Sequence, residues 1–209
     1  MHLCGGTLIG KKWVITAAHC TYGNRLIKFA VRAGSSIYFT GGQVVPVKKI
    51  TEHPKFNRTT LDYDVSVLEL SEDITIENAL PIEMADADAE VKTGSIGTIT
   101  GWGSVSMEDK YKPSHDLQMV QIPVADSRVC KEAYGNTSKH VSERMICAGY
   151  AEGGKDACFG DSGGPLIVDG KLTGIVSFGY EYCAAPNYPG VYSSVPVLKE
   201  FIDSVVKQV

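Results

Sequence analysis

Short strand patterns separated by turn signals run along almost the whole chain, and almost no helical periodicity appears before its end. Over residues 165–176, an Asp169-Gly170 pair stands between two apolar runs, which predicts a β-hairpin with a type I′ turn. From Pro196 onward, apolar residues recur at helical spacing and predict one amphipathic helix. The 209 residues suffice for one large β unit or two small barrels. The chain is therefore predicted to be all-β, a barrel or a sandwich with a C-terminal helix.

A serine set among glycines is the first candidate for chemistry. Residues 160–165 read Gly-Asp-Ser-Gly-Gly-Pro, so Ser162 can be presented on a tight turn beside backbone N–H groups. An acyl-transfer nucleophile requires this arrangement, because the oxyanion that it creates must meet donors already in place. A glycine-rich surface turn has the same pattern, and the rest of the chain has to separate the two interpretations.

The order of titratable residues along the chain restricts the kind of hydrolase. All five histidines precede Ser162, which excludes the α/β-hydrolase order of serine, acid and histidine. No Asp or Glu precedes His19, which excludes the subtilisin order if His19 is the base. The order histidine, aspartate, serine then remains.

His19 is the best candidate for a general base because of its surroundings. Residues 13–20 form a short apolar run that ends in two alanines, the histidine and a cysteine, which predicts a buried strand leading into a constrained turn. A disulfide at Cys20 would hold the imidazole against the core. The other four histidines are interpreted as surface or structural residues: His2, His53, His115 and His140.

Two aspartates are candidates for the acid that orients the base. The pattern from Val65 onward predicts a half-buried strand, and Asp64 lies at its entrance, where a buried carboxylate could accept a hydrogen bond from an imidazole N–H. Asp62 lies two residues earlier and is chemically equivalent. The residues alone do not separate the two.

Charge and cysteine content narrow the function classes. The net charge of −4 gives no reason to expect nucleic acid or an anionic membrane as a partner, and no run is long and apolar enough to span a bilayer. Six cysteines predict disulfides and an oxidising compartment, with fifteen pairings possible in principle. No Cys-x-x-Cys pair exists, which argues against a zinc site or a redox motif, so neither a metal nor another cofactor is expected.

Several blocks of the sequence resemble those of chymotrypsin-fold serine proteases, and of trypsins in particular. They are Thr-Ala-Ala-His-Cys at 16–20, Asp-Val-Ser-Val-Leu at 64–68 and the serine turn at 160–165, with further matches at 4–9, 101–103 and 189–192. The resemblance implies two six-stranded antiparallel Greek-key barrels, the first without its first strand, and a C-terminal α-helix. The expected boundaries within this one peptidase domain are 1–80 for the N-terminal barrel, 81–93 for a connector, 94–195 for the C-terminal barrel and 196–209 for the helix.

The resemblance also implies roles for single residues. His19, Asp64 and Ser162 would form a catalytic triad, with the N–H groups of Gly160 and Ser162 as the oxyanion hole. Asp156 would lie at the base of the primary pocket and favour Arg or Lys in the substrate. Ala157 stands where a serine is common in the family, which favours Arg over Lys. Further residues would line the pocket and the substrate-binding edge: Ser177, Phe178, Gly179 and Gly190.

The disulfide pairing that the resemblance implies is Cys4 with Cys20, Cys130 with Cys147, and Cys158 with Cys183. The loop at 35–43 is short and carries no acidic residue, so the calcium site of vertebrate trypsins is not expected. This loop and the number of disulfides resemble those of invertebrate digestive trypsins. A secreted, extracellular monomer is expected, with polypeptide substrates and protein protease inhibitors as partners.

Members of this family are made as zymogens, and activation frees an ammonium that inserts beside the aspartate preceding the serine, here Asp161. Only Met1, His2 and Leu3 precede Cys4, so the inserting segment is expected to be missing. An unpaired buried carboxylate is strongly disfavoured, and Asp161 is therefore expected to turn outward and distort the Gly160 amide. The alternative hypothesis is a zymogen-like or non-catalytic protease homologue. An esterase is a third class, since the same nucleophile cleaves activated esters.

Overall fold

The computed structural model describes residues 2–23, 28–109 and 111–207. Two curled antiparallel sheets and a C-terminal helix make up these residues, which confirms the all-β prediction. The first sheet contains five strands: β1 (Thr7–Gly10), β2 (Trp13–Thr16), β3 (Ala30–Ala33), β4 (Gln43–Glu52) and β5 (Ser66–Leu70). The second contains six: β6 (Ile96–Gly101), β7 (Gln118–Pro123), β8 (Met145–Ala148), β9 (Pro165–Val168), β10 (Lys171–Phe178) and β11 (Gly190–Ser194). The spatial orders are β1-β2-β5-β4-β3 and β7-β6-β9-β10-β11-β8.

Three helices complete the described residues: α1 (Ala18–Thr21), α2 (Ser127–Tyr134) and α3 (Val195–Val206). Within these residues, no helix combines the length and the apolar character that crossing a bilayer requires. Gln208 and Val209, which end the expected helix, lie outside the described residues, as does Met1. The expected domain boundaries stay a prediction.

The β9–β10 hairpin and the α3 helix form where the sequence predicts them. Asp169 and Gly170 join the two strands with φ values of 50° and 75°, as a type I′ turn requires. Asp169 tolerates this left-handed conformation better than most residues, and Gly170 adopts it without strain. Pro196 lies in the first turn of α3, where its missing N–H costs nothing. The helix buries Leu198 and Ile202 against the second sheet.

One hydrophobic cluster joins the two halves of the molecule. It contains Ile15 of β2 and Val67 of β5 from the first sheet, and Ile175 of β10 from the second, together with the buried face of α3. Burying these side chains in one cluster stabilises the two sheets against each other. Residues that follow β2, precede β5 or precede β9 are thereby brought to the same junction.

Three disulfides have the pairing that the resemblance implies. They join Cys4 to Cys20, Cys130 to Cys147, and Cys158 to Cys183. The first ties the segment before β1 to α1, and the second ties α2 to β8. Each closes a loop of about 16 to 25 residues, and such a bridge contributes about 3 kcal/mol in the chain-entropy model.

Candidate active site

Adjacent strands of the first sheet place His19 beside Asp64. The end of β2 lies alongside the beginning of β5, with Thr16 opposite Ser66. His19 follows β2 on the short helix α1, and Asp64 precedes β5, so the two residues meet at the same edge. The His19 backbone N–H donates to Asp64 Oδ1 at 2.8 Å, and His19 Nδ1 lies 2.7 Å from Asp64 Oδ2. Two bonds to one carboxylate hold both the backbone and the ring of the histidine.

The Asp64 carboxylate has no solvent exposure and is held from the second sheet as well. Ser177 of β10 donates its hydroxyl proton to Asp64 Oδ2 at 2.5 Å, and Ser193 of β11 donates to the Asp64 backbone carbonyl at 2.9 Å. A buried carboxylate needs such donors to compensate the loss of water. Sequence reasoning placed Ser177 only at the substrate edge and missed Ser193, because nothing local to either serine points to a partner more than a hundred residues away.

The bond at Nδ1 determines what the rest of the His19 ring can do. In a neutral imidazole, one nitrogen carries the proton and the other accepts one. When Nδ1 donates to Asp64, Nε2 is unprotonated and can act as a base. The side chain is 24% exposed and lines a cavity of about 430 Å³ that also contains Ser162. Both residues are described by the structure, and no hydrogen bond joins the Ser162 hydroxyl to His19 Nε2. Catalytic hydrogen bonds are often long or absent until a substrate is bound.

Asp62, the other candidate acid, has a different partner. Its carboxylate accepts from Arg144 Nε at 3.0 Å, from Arg144 Nη2 at 2.6 Å and from the Ser142 hydroxyl at 2.8 Å. Burial raises the pKa of Asp62, but the hydrogen bonds from Arg144 and Ser142 outweigh it and hold the pKa below its ordinary value. The geometry therefore assigns Asp62 to a bridge between the two halves and leaves Asp64 beside the histidine.

The turn that carries Ser162 packs directly on the first sheet. The Ser162 carbonyl accepts from Gly5 N–H at 2.8 Å, and Gly163 N–H donates to the Val176 carbonyl at 2.8 Å. Gly163 has a φ of +81°, and a Cβ there would lie 2.1 Å from Thr16 Oγ1 and 2.6 Å from the Gly5 carbonyl oxygen. Only glycine fits this position, because both the conformation and the space exclude a side chain. The close approach sets Ser162 at the end of β2, near His19.

Two backbone N–H groups beside Ser162 are available to a ligand. Neither Gly160 N–H nor Ser162 N–H donates to any acceptor in the described part of the chain. Gly160 has a φ of +100°, and its carbonyl lies 2.8 Å from His2 Nε2. His2 was interpreted as a surface or structural residue, and it contacts the peptide unit that joins Gly160 to Asp161. The sequence carries no signal for this contact, because the two residues are 158 positions apart.

The expectation that Asp161 turns outward is wrong. Its Oδ1 accepts from Gly103 N–H at 2.8 Å and its Oδ2 accepts from Cys158 N–H at 2.9 Å, so the carboxylate lies inside. Burial raises the pKa of Asp161, and these two amides oppose the shift. A Cβ at Gly101 or Gly103 would lie 1.9 or 2.2 Å from a carboxylate oxygen, so the two glycines leave room for it. The sequence argument failed because it overlooked backbone amides as partners for the charge.

Asp156 lies in the same cavity as His19 and Ser162. It accepts from Ala157 N–H at 2.8 Å and from Ala184 N–H at 3.2 Å. Burial outweighs these two amides and raises the pKa of Asp156 to about 6. The Cys158–Cys183 disulfide joins the segments that carry Ala157 and Ala184. The cavity therefore contains one poorly solvated acid in a fixed position.

The surroundings of Asp156 leave space and a free hydroxyl group. A Cβ at Gly190 would lie 2.6 Å from Asp156 Oδ1, whereas one at Gly179 would meet only Asp156 Oδ2, at 3.9 Å. Tyr192 Oη is the one buried side-chain polar atom in the described residues without a hydrogen-bond partner in the protein. It lies 3.0 Å from the Cβ position of Gly190, and such a buried hydroxyl needs water or a ligand as its partner. In the sequence, Tyr192 belongs to the family-like block at 189–192, and no role in the site was assigned to it.

The remaining histidines and the cysteines do not add a catalytic or metal site to the described residues. The His53 ring stacks on Tyr63 with 4.5 Å between centroids, and His115 pairs with Asp116 on the surface. The one cluster there with metal-ligating atoms close together is Cys4, His19 and Cys20. Both of its sulfurs are in a disulfide, so they are not thiolates and cannot act as metal ligands in this form.

Comparisons with known proteins agree over nearly the whole chain. The sequence model of the family described as Trypsin matches residues 1–202. Trypsin 5G1 of Aedes aegypti is 40% identical over 205 residues, which cover 98% of this chain and 75% of that protein. A trypsin of Simulium vittatum is 45% identical over 194 residues, 92% of this chain and 76% of that protein. A vitellin-degrading protease of Bombyx mori is 41% identical over 203 residues, 97% and 75% of the respective chains.

A solved structure is similar in fold as well as in sequence. Neuropsin, described as a serine protease expressed in the limbic system of mouse brain, superimposes with a TM-score of 0.87. The match covers 98% of this chain and 89% of that chain, at 31% sequence identity.

Proposed function

Since the chain belongs to the trypsin family of serine endopeptidases, we propose that it cleaves polypeptides after Arg, and less readily after Lys, with His19, Asp64 and Ser162 as its catalytic triad. The observation that carries this proposal is the contact between His19 and Asp64. A fully buried carboxylate binds both the backbone and the ring of a histidine that shares a cavity with Ser162. The three residues also occur along the chain in the order histidine, aspartate, serine, the one order that the sequence did not exclude.

The reaction would proceed through an acyl-enzyme. Ser162 Oγ attacks the peptide carbonyl, and His19 Nε2 accepts the hydroxyl proton in the same step. His19 then gives this proton to the leaving amine, and a water molecule repeats the sequence on the ester. Asp64 keeps the proton on Nδ1 and stabilises the imidazolium, because its oxygens already accept from His19 at 2.7 and 2.8 Å.

The oxyanion would be stabilised by the amides of Gly160 and Ser162. Their N–H groups have no acceptor within the described residues, and the contact between His2 and the Gly160 carbonyl holds the next peptide unit, between Gly160 and Asp161. Donors that are already oriented need no reorganisation when negative charge develops on the carbonyl oxygen. The loss of one such donor costs roughly 3–4 kcal/mol of transition-state stabilisation.

The preference for Arg over Lys would come from the base of the cavity. A planar guanidinium can donate two parallel hydrogen bonds to the Asp156 carboxylate, whereas an ammonium is a single compact charge. Ala157 contributes no hydroxyl beside Asp156 that could bind an ammonium. Gly179 leaves the wall of the cavity open to a long side chain.

Asp161 is proposed as the partner of an activating ammonium, the role that the family resemblance implies. A second cavity of about 330 Å³ adjoins Asp161 and is lined by apolar side chains that include Ile99 and Val120. An apolar segment with a terminal ammonium would fit such a site, and the ion pair would hold the carboxylate between its two amides.

We further propose that the protein is secreted, because its three disulfides suit an oxidising compartment. We also propose that it acts as a monomer that protein protease inhibitors can bind.

Hydrolysis of matched arginyl, lysyl and phenylalanyl peptide amides tests the proposal. We expect cleavage in the order Arg, Lys, Phe, and none with Ser162→Ala. Asp64→Asn should lower kcat about 10⁴-fold, the loss typical of this substitution in the family, because the ring loses its correct tautomer. Asp62→Asn is the matched control and should keep most of the activity. Equal losses in Asp64→Asn and Asp62→Asn, or preferred cleavage after Phe, would contradict the assignment.

A further inference from the structure

Two positively charged side chains line the catalytic cavity without a carboxylate partner. Lys139 and Arg58 border the same space of about 430 Å³ as His19 and Ser162. Neither lies within ion-pair distance of an acidic group in residues 2–23, 28–109 and 111–207. Arg144, by contrast, donates two hydrogen bonds to the Asp62 carboxylate. The cavity thus has two uncompensated cations beside its catalytic groups, in addition to the acid at its base.

Lys139 is the more constrained of the two. It is half-buried, and its Nζ lies 4.9 Å from the centroid of the Phe178 ring. Burial lowers the pKa of its ammonium, and the attraction of Asp64 only partly opposes this. Asp64 cannot serve as its counterion, because that carboxylate is fully buried and already accepts from His19 and Ser177. An ammonium that is partly removed from water and lacks an anion is stabilised when an anion arrives.

Arg58 lies on a loop whose backbone is held in place. Asn57 Oδ1 accepts from the N–H groups of Thr59 and Thr60, at 2.9 and 3.1 Å. Asn57 N–H donates to the Asp62 carbonyl at 3.0 Å, and the Asp62 side chain is bound to Arg144. The backbone under the exposed guanidinium is therefore anchored to the rest of the molecule. Its five donors have no acceptor in the part of the chain that the structure describes.

The proposed reaction determines which part of a substrate passes these cations. The carbonyl oxygen before the scissile bond meets the amides of Gly160 and Ser162, and the side chain of that residue points toward Asp156. The amino side of the same residue then faces the opposite wall, residues 177–179, where Phe178 lies under Lys139. We expect residues two to four positions before the scissile bond to run along this wall, because an extended peptide can pair with the backbone of residues 177–179.

We propose that Lys139 and Arg58 form a subsite for an acidic side chain, so that the enzyme prefers Arg cleavage sites with Asp or Glu two to four residues before the scissile bond. This inference rests on the proposed function and adds a second element of specificity to it. Phe178 supplies an apolar floor for the aliphatic part of the Glu side chain, and the two cations receive its carboxylate. The cavity would then bind two substrate side chains of opposite charge. A cationic side chain would bind at Asp156, and an anionic one would bind at Lys139 and Arg58.

A set of arginyl peptide amides that differ at one upstream position tests the subsite. Glu, Asp, Gln or Lys is placed in turn two, three or four residues before the scissile bond, and kcat/KM is measured. We expect Glu or Asp to exceed Gln by about fivefold at one of these positions, the factor typical of an ion pair at a partly exposed site, and Lys to fall below Gln. The preference should shrink as salt is added, because an exposed guanidinium is screened.

Variants identify the groups responsible. Lys139→Met keeps the aliphatic contact with Phe178 and removes the charge, so the ratio of Glu to Gln cleavage should fall, and it should approach one when Arg58→Gln is added. Lys11→Met is the matched control, because Lys11 is exposed and lines no part of the cavity. A ratio compares two substrates on the same preparation, so incomplete folding of a variant does not alter it.

Each outcome has one meaning. Strong cleavage of all arginyl peptides at equal rates would overturn the subsite and leave the proposed function standing. An acidic preference that persists in the double variant would also overturn it. No cleavage of any arginyl peptide, with Ser162→Ala indistinguishable from the unmodified chain, would refute the proposed function and the subsite together.

Discussion

Three aspartates in or near the cavity differ in how their negative charge is compensated. Asp64 accepts from His19 twice and from Ser177, and Asp161 accepts from two backbone amides. Asp156 also accepts from two amides, and burial raises the pKa of both Asp161 and Asp156, the latter to about 6. Asp156 borders an open cavity, and within the described residues no side-chain cation forms an ion pair with it. The charge at Asp156 is left for a ligand to compensate.

The raised pKa of Asp156 predicts how folding stability depends on pH. The folded protein holds this proton up to about pH 6, whereas an unperturbed carboxyl loses it near 3.8. The unfolded chain therefore binds fewer protons in this window, and the free energy of unfolding falls as pH rises through it, by at most about 1.4 kcal/mol per pH unit. We expect Asp156→Asn to remove this part of the dependence in urea unfolding measured between about pH 4 and pH 7.

The Asp156 carboxyl also predicts how ligand affinity depends on pH, which is independent of the unfolding measurement. A small guanidinium ligand needs ionised Asp156, so its Kd should rise about tenfold per pH unit below about 6 in the unmodified chain. Asp156→Asn should bind it weakly at every pH. Identical pH profiles for the two proteins would show that Asp156 does not titrate in this range.

At the scale of secondary structure, α3 and β10 determine how the second sheet meets the first. Leu198 and Ile202 of α3 and Ile175 of β10 belong to the cluster that contains Ile15 of β2 and Val67 of β5. The apolar spacing after Pro196 predicted the helix, and the structure begins it one residue earlier, at Val195. What the spacing could not predict is the partner of the helix, because periodicity identifies an apolar face and not the surface that covers it.

Two substitutions in α3 test the contribution of its buried face. Ile202 has no exposure, so Ile202→Ala should lower the free energy of unfolding by about 3 kcal/mol through lost burial and a residual cavity. Val197 is 52% exposed in the same helix, and Val197→Ala should change the free energy of unfolding by less than about 0.5 kcal/mol. Chemical denaturation of the two variants gives both values. Similar losses would mean that helix propensity, and not packing, determines the contribution of α3.

For the molecule as a whole, the candidate site exists only where the two halves meet. His19 and Asp64 come from the first sheet, and Ser162, Ser177 and Ser193 from the second. The bridge between Asp62 and Arg144 joins the same two halves, with side chains 19% and 29% exposed. Arg144 Cζ also lies 4.9 Å from the centroid of the Tyr63 ring, and Tyr63 directly precedes Asp64 in the chain. Stability and site geometry are therefore coupled through this junction.

A double-mutant cycle on the bridge tests this coupling. Asp62→Asn, Arg144→Met and the pair should show a coupling energy of about 1 kcal/mol in the free energy of unfolding, limited by the partial exposure of both groups. The hydrogen bonds from Arg144 and Ser142 lower the pKa of Asp62 below 3.8, so the coupling is present above that pH and is lost as pH falls through the lower folded value. Lys131 and Glu143 form a more exposed pair within the second half, and their coupling should be near zero. Equal coupling energies in the two pairs would contradict the idea that the bridge between Asp62 and Arg144 stabilises the junction of the two halves.

The sequence by itself determined the strands, the hairpin turn, the terminal helix and the order of the three candidate catalytic residues. These follow from periodicity, from turn chemistry and from residue types at short spacing, all of which are local. Family resemblance had favoured Asp64 over Asp62, and tertiary structure supplied the physical reason by giving the two aspartates different partners. It also turned Asp161 inward and brought His2, Ser193 and Tyr192 to the site. It also set Lys139 and Arg58 beside the same cavity. The physical reason is that a carboxylate, an amide or an ammonium takes the nearest available partner, and burial of one shared core decides which distant residues become near.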